Sequence, residues 1–169
     1  MKQKNILILG LAKSGTASFN LLYNKKDKFY LYDESEAKCN ETENLTEQKL
    51  NVFILKELDV SILEFINLIV ISPSISIFDP FIVKAKRKNI KVISELELGF
   101  QNTKNDIIAI TGTNGKTTTV SLVNAMFCEA KLPCKLVGNI GTPLCSVVKN
   151  TPRRTTYICE VSSFQLEAI

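Results

Sequence analysis

A chain of 169 residues, 45% hydrophobic and 22% charged, has the composition of a soluble globular protein with one domain or two small ones. Its net charge of +4, with no dense run of Lys and Arg, argues against nucleic acid as a partner and leaves acidic small molecules such as nucleotides open. The chain has no His, which excludes a His-based triad and leaves carboxylates, hydroxyls, Lys, bound metal or backbone amides to carry any chemistry.

Lys2 and Lys4 precede an apolar run, Ile6 to Leu9, that ends at Gly10. The run is far too short for a secretory core or a membrane span, so no membrane partner is expected. It reads as a strand, Asn5–Leu9, followed by a helix over Gly15–Asn24. Strands Phe29–Tyr32, Val52–Leu55, Leu68–Ile71 and Lys91–Ile93 come next, with helices around Ile62–Phe65 and Pro80–Lys88. This alternation predicts an α/β fold with a parallel sheet, a Rossmann-like unit. Glu95–Phe100 reads as a further helical turn, and the polar stretch Gln101–Asn105 is the linker candidate, so the first domain is placed at 1–101 and the second at 102–169.

The second unit opens with a strand over Asp106–Thr111 and a glycine-containing turn. A helix starts at Lys116, with Val120, Val123 and Phe127 on one face, and strands follow at Leu136–Val137 and Thr156–Cys159. So few strands leave an unpaired edge and uncovered apolar faces. Residues 102–169 are therefore expected to be an incomplete α/β unit, with Asn105–Ile169 less stable than the first domain and Val120, Val123, Phe127 and Ile158 exposed. Cys39, Cys128, Cys134, Cys145 and Cys159 are odd in number and lack CxxC spacing, which reads as reduced thiols of a cytoplasmic protein and not as a disulfide framework or a zinc site.

Thr111-Gly112-Thr113-Asn114-Gly115-Lys116-Thr117-Thr118 follows a strand and opens a helix. Backbone N–H groups in such a turn, with the positive helix end, form an anion site. Gly112 and Gly115 allow close phosphate approach, Lys116 can reach the β/γ-phosphates of ATP, and the Thr117 hydroxyl can ligate Mg2+. Ile110 stands where the strict GxxxxGK[ST] pattern has its first Gly. Glu160, at the end of an apolar strand in the same unit, is a second Mg2+ candidate. In the first unit, Gly10-Leu11-Ala12-Lys13-Ser14-Gly15 and Asp33 are patterned like a dinucleotide fingerprint, but Ala12 puts a methyl where backbone must approach a pyrophosphate. That methyl argues against an NAD-dependent dehydrogenase.

The departure at Ile110 is informative, because Thr-Gly-Thr-Asn-Gly-Lys-Thr resembles the Mur ligase and folylpolyglutamate synthase superfamily. Gly138-Asn139-Ile140-Gly141 is similar to the family's Gly-Asn-Ile-Gly turn, and Ser72-Pro73-Ser74-Ile75 to its Ser-Pro-Gly-Ile segment. Glu160-Val161-Ser162-Ser163-Phe164-Gln165-Leu166-Glu167 resembles the signature of the branch that adds D-glutamate, where the branch adding the third residue shows His-Ala in place of Phe164-Gln165. The resemblance implies an ATP- and Mg2+-dependent amide ligase of peptidoglycan synthesis. In it, ATP phosphorylates the carboxylate of UDP-N-acetylmuramoyl-L-alanine and the amine of D-glutamate attacks the acyl phosphate. It further implies that Lys13, Ser14, Asp33, Ser72, Pro73, Asn139, Ser162 and Gln165 contact the UDP-substrate, that residues 102–169 are the truncated start of a P-loop-type ATP-binding α/β domain in which Gly112 to Thr118 hold ATP, that Lys116 and Glu160 are catalytic, and that Thr117 and Glu160 hold Mg2+. The family's modified lysine, catalytic His, adenine contacts and C-terminal domain have no match here, so the resemblance implies an N-terminal portion inactive alone, and a monomeric full-length enzyme. A sibling ligase and a non-catalytic nucleotide-binding remnant stay open as alternatives.

Overall fold

The computed structural model describes residues 2–169 and holds two parallel sheets. The first contains β1 (Asn5–Leu9), β2 (Lys28–Tyr32), β3 (Val52–Ile54), β4 (Leu68–Ile71) and β5 (Lys91–Ser94), in the order β3-β2-β1-β4-β5. α1 (Lys13–Leu22), α2 (Glu36–Thr46), a 3-10 turn (Val60–Glu64) and α3 (Pro80–Arg87) form the crossovers. Covered on both faces, β1 buries Ile6, Leu7, Ile8 and Leu9, which explains its unbroken apolar run. Asp79 caps α3 by accepting from Phe81 N at 2.8 Å, with Pro80 fitting the first helical turn.

α2 carries no sequence signal because it lacks an apolar stripe. Its buried positions include Thr42 and Thr46, whose hydroxyls donate to Lys38 O (2.8 Å) and Thr42 O (2.9 Å). Those bonds satisfy the hydroxyls within the helix, so the threonines bury without polar cost.

α4 (Glu95–Gln101) leads to the second sheet, β6-β8-β7, formed by β6 (Ile107–Ile110), β7 (Cys134–Gly138) and β8 (Thr156–Glu160). α5 (Lys116–Glu129), α6 (Leu144–Val147) and the short α7 (Ser163–Leu166) complete it. Central β8 buries Tyr157, Ile158 and Cys159 completely, and Val120 is as fully buried. Val120 and Ile158 are thus not the exposed apolar positions expected from the sequence, and Val123 and Phe127 are half-buried. The exposed stripe of α5 is Leu122 and Met126, each 60% exposed and one turn apart, because Val120 and not its neighbours turns toward the sheet. β6 is an edge strand, with Ile108 37% exposed.

The polar stretch after α4 is tied down: Asn105 Nδ2 donates to Pro152 O (2.7 Å) and Thr155 O (2.9 Å). The sheets also share one apolar cluster, from Ile6, Phe19 and Phe29 through Leu96 and Leu98 to Leu144, Val147 and Tyr157. α6 seats against α1 and α4, so close to Gly99 that a Cβ there would lie 2.7 Å from Leu144. Across the seam the Glu95 carboxylate accepts from Cys145 N at 2.6 Å, and Ser94 N donates to Ala168 O at 2.8 Å. Among the described residues no helix is long and apolar enough to cross a membrane.

Candidate phosphate and metal site

Strand register assembles the site. In the second sheet Ile110 and Gly138 both stand opposite Glu160, so the ends of β6, β7 and β8 meet at one edge. The phosphate loop leaves β6 there, Asn139 follows β7, and Glu160 closes β8. Ligands of open α/β sheets bind at this carboxyl edge.

Gly115 is the N-cap of α5 with φ of 75°, a left-handed conformation that L side chains avoid. Nothing lies within 4 Å of where its Cβ would be, so the loop is open to a phosphate as well as shaped for one. Lys116 Nζ donates to Gly112 O at 2.5 Å and Thr113 O at 3.4 Å, which keeps the ammonium over the loop. Thr113, Asn114 and Thr118 are exposed on the same turn.

Glu160 is 1% exposed and gripped at both oxygens. Thr117 Oγ1 donates to its Oε2 at 2.7 Å, and Asn139 Nδ2 to its Oε1 at 2.9 Å. Asn139 N also donates to the Glu160 carbonyl at 2.8 Å. That approach needs glycine at 138: φ is 104°, and a Cβ would lie 2.2 Å from Glu160 O. No Lys or Arg among the described residues pairs with this carboxylate. A buried carboxylate and a hydroxyl, both hard oxygen donors beside a phosphate loop, suit Mg2+. Burial pushes the neighbouring Cys159 thiol up to about 12, with Glu95 and Glu160 adding to the rise, so it stays neutral beside the site.

Ser162 and Gln165 lie one step beyond, but they hold each other. Ser162 N donates to Gln165 Oε1 (2.9 Å) and Gln165 N to Ser162 Oγ (3.3 Å), a capping box that starts α7. Gln165 is buried, while Phe164 beside it is 62% exposed.

In the first unit Gly10 turns out of β1 with φ of 82°, and Gly15 lets α1 press against it, since a Cβ on Gly15 would fall 1.7 Å from Gly10 O. Asp33 braces the turn, accepting from Leu11 N (2.6 Å) and Ser35 N (2.8 Å). Ser72, buried beneath, donates to Gly10 O at 2.9 Å. Asp33 and Gly10 line a cavity of about 390 Å³ at the carboxyl edge of the sheet, together with Lys38, Ser74, Ser76 and Asp79. Ser72 and Pro73 do not line it; the residues just after them do. Lys13 lines a separate groove of about 520 Å³ with Thr16, Lys38, Pro143 and Ser146. Ser14 is half-buried in α1, its carbonyl accepting from Ser18 Oγ at 2.9 Å. Sequence reasoning missed Lys38, which lies in the unsignalled α2 and lines both hollows.

A Rossmann-like sheet joined to a second parallel sheet, with a glycine-containing loop that brings Thr117 to Glu160 at its carboxyl edge, defines a two-sheet α/β protein. Residues 4–94 match the Mur ligase MurD-like N-terminal domain and residues 110–168 the Mur ligase middle domain, and the chain belongs to the Mur ligase family. Over its whole length it is 36% identical to a UDP-N-acetylmuramoylalanine–D-glutamate ligase of Caldicellulosiruptor bescii and 39% identical to one of a Thermoanaerobacter species. A third such ligase, from Clostridioides difficile, is 35% identical over the whole chain. The chain spans about 37% of the length of the first two of these relatives. The solved UDP-N-acetylmuramate:L-alanyl-gamma-D-glutamyl-meso-diaminopimelate ligase of Neisseria meningitides shares the fold, with a TM-score of 0.50, 18% identity, and coverage of 96% of this chain and 55% of that one.

Proposed function

We propose that this chain supplies the UDP-substrate unit, residues 1–101, and the phosphate-gripping part of the ATP unit, residues 102–169, of a cytoplasmic ligase that joins D-glutamate to UDP-N-acetylmuramoyl-L-alanine. The observation that carries the reading is the Thr117–Glu160–Asn139 clasp at the mouth of the phosphate loop. The relatives' shared name, matched over the whole chain, supports the substrate pair.

In this reading the backbone N–H groups of Gly112 to Lys116 and the Lys116 ammonium bind the ATP phosphates, the Lys swinging off the Gly112 carbonyl to do so. Mg2+ held by Thr117 and Glu160 would supply charge neutralisation for phosphoryl transfer. Asn139 orients the Glu160 carboxylate, and the capping box of Ser162 and Gln165 fixes the turn that leaves β8. A carboxylate acceptor needs charge neutralisation more than a side-chain nucleophile, which fits Lys116, Thr117 and Glu160. The cavity beside Gly10 and Asp33 takes the uridine diphosphate end of the substrate, with Lys38 on its lining as a cation for the phosphates and Lys13 in the groove that shares Lys38.

Calorimetric titration of the 169-residue chain with UDP-N-acetylmuramoyl-L-alanine and with NAD tests the first-unit assignment. The UDP-substrate is expected to bind and NAD to bind more weakly or not at all. Preference for NAD would overturn the assignment.

A further inference from the structure

Cys128 lies in the last turn of α5 and Cys134 is the first residue of β7, and their sulfurs stand 3.8 Å apart. The turn between them is fixed. Lys131 takes a left-handed φ of 56°, its N–H donates to Cys128 O at 3.0 Å, and Leu132 N donates to Phe127 O at 2.9 Å. Asn124, one turn back along α5, contacts both sulfurs: its Nδ2 lies 3.9 Å from Cys128 Sγ, and Cys134 Sγ lies 3.5 Å from its Oδ1. The juxtaposition is therefore built by a helix cap, a strand start and a shared amide.

Accessibility separates this pair from the other thiols. Cys128 is exposed and Cys134 half-buried, whereas Cys145 and Cys159 are buried. Burial pushes the thiols of Cys145 and Cys159 far up, which removes the thiolate needed for exchange. Cys39, half-buried, points its thiol at Asp33 O at 3.3 Å.

We propose that Cys128 and Cys134 form a redox modification site, a dithiol that a small-molecule disulfide converts into an intrachain bridge. The Cys128 thiolate attacks one sulfur of the small disulfide, which forms a mixed disulfide and releases one small thiolate. The Cys134 thiolate then attacks Cys128 Sγ and expels the second. Two protein thiols are oxidised, one small disulfide is reduced to two thiols, and the protons lost by the cysteines end on those thiols. Cys128 goes first because it is exposed, while burial and Cys128 itself push the Cys134 thiol up. Closing the bridge from 3.8 Å to the S–S bond length of about 2.05 Å needs side-chain rotation at the exposed Cys128. The bridge would fasten the far end of the helix that begins with the phosphate loop to the strand that leads to Asn139.

The test uses the reduced 169-residue chain with oxidised glutathione, quenched with acid and mapped by tryptic digestion without reductant. Lys131 gives trypsin a cut between the two cysteines, so a bridge appears as two linked peptides whose combined mass lacks two hydrogens. The expected result is that linked species in the native chain, replaced by a persistent glutathione adduct on Cys128 in Cys134→Ser. A native chain that accumulates the Cys128 adduct without linkage, stays reduced at both positions, or bridges through Cys39 instead would overturn the proposal.

Discussion

Replacing Glu95 with Gln removes an ionisable group from the seam between the two sheets while keeping its size and an accepting oxygen. Glu95 is 2% exposed, and its carboxylate takes the Cys145 N–H at 2.6 Å, joining α4 to α6. Burial raises its pKa above the ordinary 4.5, with the Cys145 backbone and thiol bonds pulling the other way. The folded state therefore holds this proton more tightly than the unfolded state. The stabilising contribution is fully present below the unfolded pKa and is lost as pH rises through the folded one. The Gln variant lacks that loss, so its stability relative to the native chain should improve as pH rises above the ordinary carboxyl pKa of 4.5 and through the raised folded-state one. Any fixed cost of seating the amide shifts the whole curve without changing its slope. Glu95→Ala should cost about 1–3 kcal/mol at the acid end, because the buried Cys145 N–H loses its acceptor. Urea unfolding followed by circular dichroism at several pH values gives both curves. A Gln-minus-native difference that is flat with pH would refute the reasoning, since it would mean the carboxyl is as solvated in the folded chain as in the unfolded one.

Glycine substitutions test the backbone approaches. Gly15→Ala puts a Cβ 1.7 Å from Gly10 O and should lower stability by about 3 kcal/mol or more, read by the urea midpoint; a loss below about 1 kcal/mol would mean α1 sits farther from the turn. Gly138→Ala meets Glu160 O at 2.2 Å with φ of 104°, and its expected loss of about 3 kcal/mol should come with weaker MgATP binding; normal binding in the folded variant would contradict the placement of Asn139. Thr117→Val removes the donor to Glu160 Oε2, so ATP affinity should lose most of its dependence on Mg2+, while affinity for the UDP-substrate stays unchanged.

The first sheet was legible because its strands are buried on both faces and bounded by turns; β1 and β4 fall on the residues read from the sequence. α2 was not, since its buried face is threonine, and neither were α6 and α7, each only four residues long. The phosphate loop, Asn139 and Glu160 were readable as motifs, but their convergence depends on register: Ile110 and Gly138 both stand opposite Glu160. Motif reading cannot tell a side chain facing outward from one spent on the fold. Ser72 turned out to brace Gly10, and Gln165 to cap its own helix with Ser162. The Cys128–Cys134 contact had no signal, because the five-residue gap becomes a contact only through the helix cap at Lys131.

The central claim is that the loop at Gly112 to Thr118 and the Glu160 clasp together hold a magnesium nucleotide. Its most direct test is the affinity of the 169-residue chain for ATP, measured by calorimetry with and without Mg2+, beside Lys116→Ala and Glu160→Gln. The native chain should bind MgATP more tightly than ATP alone. Lys116→Ala should weaken MgATP binding about tenfold or more, since a charge-assisted contact to phosphate contributes about 1.5–3 kcal/mol. Glu160→Gln should abolish the magnesium effect and leave binding of the UDP-substrate intact. Equal MgATP affinity in the native chain and both variants would contradict the account.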